Sequence, residues 1–147
     1  MSFPPDSNVA PANRHTLGLE PETGNVINSA RKARRLLDEM KSPRLKVILD
    51  PANLFHPGDL PRMKEILNEA FDFLGRDIVL AHAKELASDG HAGGLPLGEG
   101  ELDWDLYLGS LRRAKFTGPL IMHGFEEQHA KVSSAFLRGK LRAAPAR

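Results

Sequence analysis

Residues Asp77 to Glu85 read Asp-Ile-Val-Leu-Ala-His-Ala-Lys-Glu, an apolar run that leads into a histidine, a lysine and a carboxylate. A glycine-rich segment follows, from Asp89 to Gly100. A short continuous apolar run bounded by turn signals reads as a strand buried on both faces, as in parallel sheets. In α/β proteins the polar residues at the carboxyl end of such a strand stand where ligands bind. Position alone therefore makes His82, Lys84 and Glu85 candidate site residues. The remaining question is whether other strands end in the same way.

Three do. His15 to Glu20 is a short strand candidate closed by a carboxylate, and a Pro-Glu-Thr-Gly-Asn turn follows it. Leu45 to Asp50 is a clearer strand, again closed by a carboxylate, and Pro119 to His123 is closed by an imidazole. Between them lie helical patterns. Val26, Ile27, Ala30, Ala33, Leu36, Leu37 and Met40 recur at helical spacing, with Asn25 as the cap and Lys41-Ser42-Pro43 as the stop. Pro51 to Pro57 is a loop, after which Asp59 caps a helix that runs to Leu74 with Pro61 in its first turn. The long glycine-rich loop from Leu86 to Asp103 signals function or disorder. Asp103 caps a helix over Trp104 to Lys115, and a last helix spans Glu126 to Gly139. Strand and helix alternate four times, which predicts an α/β fold with a parallel sheet of four strand–helix units.

Parallel strands place their carboxyl ends on one rim, so Glu20, Asp50, His82 and His123 should converge there. Two carboxylates with one or two imidazoles suit a divalent cation, with Mn²⁺ or Mg²⁺ preferred and Co²⁺ or Zn²⁺ also admissible. The chain has no cysteine, so no thiolate site or disulfide framework competes with this reading. A net charge of +1 gives no case for nucleic acid or an anionic membrane. No apolar run approaches the roughly 20 residues that span a bilayer. The N-terminus also lacks the pattern of a signal peptide, so a cytoplasmic protein is expected.

Other residues carry blander readings. Glu20 or Asp50 taken singly reads equally as a turn or cap residue. His15, His91 and His129 read as structural histidines, and Glu126 and Glu127 as acidic residues favouring a helix N-terminus. Trp104 should bury its ring where its helix meets the sheet. Arg31, Lys32, Arg34 and Arg35 read as a solvated basic face. Gly98-Glu99-Gly100 is too short for a phosphate loop. Residues 1–14 read as a disordered lead-in, 15–140 as the domain and 141–147 as a frayed tail.

The motifs Leu-Gly-Leu-Glu-Pro-Glu, Val-Ile-Leu-Asp-Pro-Ala-Asn, Ala-His-Ala-Lys-Glu, Leu-Gly-Glu-Gly-Glu-Leu-Asp-Trp and Leu-Ile-Met-His-Gly occur in that order. Together they resemble the xylose isomerase-like TIM-barrel superfamily, nearest to its sugar phosphate isomerases and epimerases. The resemblance implies one divalent metal held by Glu, Asp, His and a second Glu, with the two glutamates moving the proton. Glu20, Asp50 and His82 match the first three. The fourth position falls on His123, so a two-glutamate proton transfer does not carry over unchanged. Asn53 stands where epimerase relatives often have a substrate-contacting histidine, and Glu85 where they carry an acidic residue. Lys84 and His56 could contact a phosphate or hydroxyl.

The resemblance therefore implies sugar or sugar-phosphate chemistry by proton abstraction beside a carbonyl, with the metal stabilising the enediolate. Glu20 and His123 are the implied acid/base pair. The family barrel has eight strand–helix units in roughly 250 residues, and this chain resembles only the C-terminal half. A truncated gene lacking its N-terminal half-barrel, a half that pairs with another copy or chain, and a small self-closed sheet all fit, truncation best. A half-barrel serving as an interaction module without catalysis is the alternative. An apurinic-site endonuclease relative is less favoured, because the near-neutral charge argues against it.

Overall fold

Residues 15–143 are described by the structure, a computed structural model. The expected lead-in, 1–14, and the last four residues of the expected tail lie outside them. Strands β1 (Leu17–Leu19), β2 (Leu45–Leu49), β3 (Ile78–Ala83) and β4 (Leu120–Met122) form one sheet in the order β1-β2-β3-β4, with every neighbouring pair parallel. Helices α1 (Ala30–Met40), α2 (Met63–Leu74), α3 (Trp104–Arg113) and α4 (Ala130–Ala143) follow the strands in turn, and each packs on the next. The expected tail is thus helical at residues 141–143. Among the described residues, no helix is long and apolar enough to cross a membrane.

One face of the sheet carries the helices. Val47, Leu49, Ala81 and Ala83 have no exposure and join Ala33, Leu67, Leu74 and Tyr107 in a single core. Strand side chains alternate between faces, so Ile48, Leu80 and Ile121 point the other way. Ile121 remains 44% exposed. The expectation that β3 is buried on both faces is corrected, because among the described residues one layer of helices covers the sheet and Val79 is exposed. A register shift between Val47 and Ile48 adds to this, leaving Val79 as the unmatched residue of β3 and 37% exposed.

Three helix starts differ from the sequence reading, and the last is α4, which begins at Ala130 after a 3₁₀ turn over Glu127–His129 rather than at Glu126. α1 begins at Ala30, with Ser29 as its cap: Ser29 Oγ accepts a hydrogen bond from the Lys32 amide at 3.3 Å. Asn25 instead serves a turn closed by the Glu22 amide on the Ile27 carbonyl, and Val26 is exposed. Before α2 a short 3₁₀ turn, Leu60–Arg62, intervenes. Asp59 makes no capping bond there, because its Oδ2 accepts from the His56 amide at 2.9 Å. Asp103 does cap α3, accepting from the Leu106 amide at 2.9 Å.

The basic run on α1 is not wholly a solvated face. Arg34 reaches across to Asp77 at 2.7 Å, where Lys46 also binds at 3.0 Å. Burial works against the Asp77 charge, but Arg34 and Lys46 outweigh it and hold its carboxyl below the usual range. Arg31 lies over the Phe73 ring, 4.8 Å from its centroid, and pairs with Glu69.

Candidate functional site

Glu20, Asp50 and His123 sit one residue past the carboxyl ends of β1, β2 and β4, and His82 one residue before the end of β3. By strand alternation each shares the inner face with Ile48, Leu80 and Ile121. Asp50 is the centre. It has no exposure, and its Oδ1 accepts from the amide of Ala52 at 3.0 Å and of Asn53 at 3.4 Å, which fixes the carboxylate within its own turn. Its Oδ2 faces the rim, 2.8 Å from His123 Nε2, 3.3 Å from His82 Nδ1 and 3.6 Å from Lys84 Nζ. The two imidazole rings meet edge to face with centroids 4.2 Å apart.

Glu20 stands at the margin of this group. Its Oε1 accepts from Asn53 Nδ2 at 3.1 Å and lies 3.2 Å from His82 Nδ1. Its Oε2 takes no hydrogen bond from the described residues, and the side chain is 32% exposed. Asn53 also accepts from Lys84 Nζ through Oδ1 at 2.7 Å. The amide therefore links the lysine to the glutamate. Beneath the rim, the buried Tyr107 donates its hydroxyl to the His82 carbonyl at 2.8 Å. Burial, with the Asp50 charge adding, pushes the Tyr107 phenol well above its ordinary range, so it stays a donor. Nothing in the sequence pointed to this tyrosine beyond its place on an amphipathic helix.

One ligand atom each from Asp50, His82 and His123 falls within 4.8 Å of the others. Metal–ligand bonds of about 2.0–2.2 Å separate neighbouring ligands by about 3–3.5 Å, so the 2.8 Å and 3.3 Å spacings suit a common cation with little adjustment. The donor set also fits: one carboxylate and two imidazoles accommodate first-row divalent ions. Glu20 lies outside that set in this conformation.

Two of the expected substrate contacts are placed elsewhere. Glu85 has no exposure, and its carboxylate lies inside the β3–α3 loop. Oε1 accepts from the amides of Leu86 at 3.0 Å and Leu102 at 3.1 Å, and Oε2 from Gly98 at 2.6 Å and the Trp104 indole at 2.9 Å. Four donors converge on it, so it organises the loop rather than facing the rim, which corrects its placement among substrate contacts. Strand alternation would have shown this, since Glu85 shares the parity of Ala81 and Ala83 on the core side. His56 is exposed and lines a separate hollow with Ser29, Asp59, Arg62, Glu65 and Glu69, between α1 and α2. Of the other histidines, His15 and His91 are exposed, with His91 beside Asp89 at 3.1 Å. His129 lies in the turn before α4.

The fold has counterparts. A xylose isomerase domain protein from Planctomyces limnophilus matches with a TM-score of 0.65 and 22% identity, over 86% of this chain and 45% of its own. A D-allulose 3-epimerase from Methylomonas sp., in complex with D-allulose, matches with a TM-score of 0.59 and 20% identity, over 83% of this chain and 40% of its own. A probable 3-DHS dehydratase from Bacillus anthracis matches with a TM-score of 0.67 and 17% identity, over 88% of this chain and 50% of its own. At these identities the likeness is one of fold. This chain spans half or less of the length of each. The family model described as xylose isomerase-like TIM barrel matches residues 7–140, and the chain belongs to that family.

Proposed function

We propose that this chain carries the metal-binding and proton-transfer half of a sugar or sugar-phosphate isomerase or epimerase. The observation that carries the reading is the convergence of Asp50, His82 and His123 at the strand ends, with Glu20 beside them. Asp50, His82 and His123 would hold the cation, and Glu20 would join them by a small side-chain movement. A bound divalent ion, with Mn²⁺ or Mg²⁺ preferred, supplies Lewis-acid polarisation of a substrate carbonyl.

The chain's own residues would then move the proton. Glu20 Oε2 is the one carboxylate oxygen of the pair that no described residue engages, so it can take a proton from the carbon beside the carbonyl. Asn53 Nδ2 holds the other oxygen and sets the angle of approach. On the opposite side of the rim His123, 40% exposed, would be a ligand or, when Glu20 Oε1 takes its place on the cation, the group that returns a proton through its imidazole. Breaking one C–H bond and forming another leaves the substrate isomeric and needs no redox partner. Asn53 and Lys84 line the same rim and would meet substrate hydroxyl groups.

A second reading has its own support. Half of a barrel leaves the inner sheet face open, and a pocket needs walls to exclude water. The walls would come from an N-terminal half or a second copy, and a chain lacking both would serve only as an assembly module. Titration of Mn²⁺ into the wild type and Asp50→Asn tests the metal reading: affinity should fall at least about ten-fold in the variant, with the fold retained by circular dichroism. Equal affinity in both would end it. Incorporation of solvent deuterium into keto-sugars, followed by NMR, tests proton abstraction directly.

A further inference from the structure

Lys84 is the site residue with the most constructed surroundings. Its side chain is 13% exposed, which for a lysine demands a reason. The stem runs between two glycines from different loops, Gly93 after β3 and Gly124 after β4. A Cβ on Gly124 would lie 2.8 Å from Lys84 Cγ, and one on Gly93 would lie 3.2 Å from Lys84 Cε. Both glycines have positive φ, 83° and 82°, so a side chain is disfavoured there on two counts. The Gly94 amide donates to the Gly124 carbonyl at 2.6 Å and ties the two loops together. The result is a sleeve that aims the ammonium at Asn53 Oδ1 (2.7 Å) and Asp50 Oδ2 (3.6 Å).

We propose that Lys84 is a resident counter-ion that holds the metal-free site in its binding geometry and competes with a divalent cation for Asp50. The proposal rests on the cation site described above and adds a control on its affinity. Asp50 is fully buried, and a buried carboxylate is costly without a compensating charge. The ammonium supplies that charge. Through Asn53 it also fixes which way the amide faces: Oδ1 is held by the lysine, so Nδ2 must point at Glu20. An arriving cation would bind the same Asp50 oxygen and meet a like charge a few ångströms away. Lys84 therefore keeps the empty site ordered and the bound metal exchangeable.

The sign of the prediction separates this from a merely structural lysine. Lys84→Met keeps the stem and removes the charge, so it should bind Mn²⁺ about ten-fold more tightly than the wild type, since a like charge close to the cation is gone. Lost packing alone would weaken binding. Mn²⁺ is titrated into both proteins at one fixed pH, with free Mn²⁺ read by electron paramagnetic resonance. Tighter binding in Lys84→Met, or binding only in that variant, supports the proposal. Equal or weaker binding alongside a wild type that does bind overturns it and leaves the metal site standing. Binding in neither overturns both. If the variant does not fold, the wild type still decides. The Lys84 ammonium resonance, assigned through its own side-chain carbons, should shift as Mg²⁺ is added, and a resonance that never moves overturns the proposal.

Discussion

Asp50 Oδ2 and His123 Nε2 lie 2.8 Å apart, although they close β2 and β4, two strands that β3 separates. In a flat sheet such strands run about 10 Å apart. The contact therefore depends on side chains that lean toward one another across β3, with His82 between them. Parallel strands that end on one rim bring residues far apart in sequence within reach of one another in this way.

That contact makes His123→Glu informative. It would place a second carboxylate where the resemblance implies one. Without metal, the new carboxylate would face that of the buried Asp50, and the variant should lose about 1–2 kcal/mol of stability at neutral pH. With Mn²⁺ the sign should reverse, because a carboxylate adds a charged ligand. Urea unfolding with and without Mn²⁺ checks both halves. A variant whose stability ignores the metal would place residue 123 outside the coordination.

Asp77 gives a pH prediction whose sign is fixed. Burial opposes its charge, but Arg34 and Lys46 hold its carboxyl below the ordinary range. A folded value below the unfolded one, about 3.9, stabilises the fold fully above that unfolded value. The contribution is lost as pH falls through the folded value. Asp77→Asn should therefore cost about 1–2 kcal/mol at pH 7, with the difference from wild type narrowing toward pH 3. Denaturant unfolding at the two pH values measures it. A constant difference would mean the loss is not electrostatic.

The exposed inner face predicts association. Ile121 is 44% exposed, with Ile48 and Leu80 part-buried beside it. At roughly 25 cal/mol per Å², a few hundred Å² of such surface is worth several kcal/mol when covered. Sedimentation at micromolar concentration should show more than monomer. Ile121→Lys, which puts a charge on that face at a position outside the buried core, should shift the balance to monomer. A compact wild-type monomer would instead favour a sheet that stands alone.

Much of the architecture was legible because apolar runs and helical spacing report it directly. Four runs closed by Glu20, Asp50, His82 and His123 gave four strands and one rim. The misreadings have local causes. Val26 and Ile27 fit a helical period, but the backbone bond from Glu22 to Ile27 diverts them into a turn, and Ser29 starts α1 instead. Arg34 looked solvated because its partner Asp77 lies 43 residues away in sequence. The role of Tyr107 under His82 was invisible for the same reason: a hydrogen bond across the fold leaves no mark on sequence spacing.

Glu85 is the sharpest case and yields the last prediction. Its spacing from His82 suggested a rim residue, whereas its parity with Ala83 sends it to the core side, where four donors meet it. All four are N–H groups, and a carboxylate offers acceptors on both oxygens. Glu85→Gln turns one of those acceptors into an NH₂ facing donors, so at least one loop amide or the Trp104 indole is left unpaired and buried. Each such loss costs about 1–3 kcal/mol, and the variant should lose about 2–4 kcal/mol overall. The damage should centre on the loop before α3: faster amide exchange at Gly98 and Leu102, and a changed Trp104 emission. Because Glu85 is placed outside the cation site, Mn²⁺ affinity per folded molecule should change little. Unchanged stability would show that water replaces the carboxylate as readily as glutamine, and the loop would then owe its shape to Leu86, Leu97 and Leu102 alone.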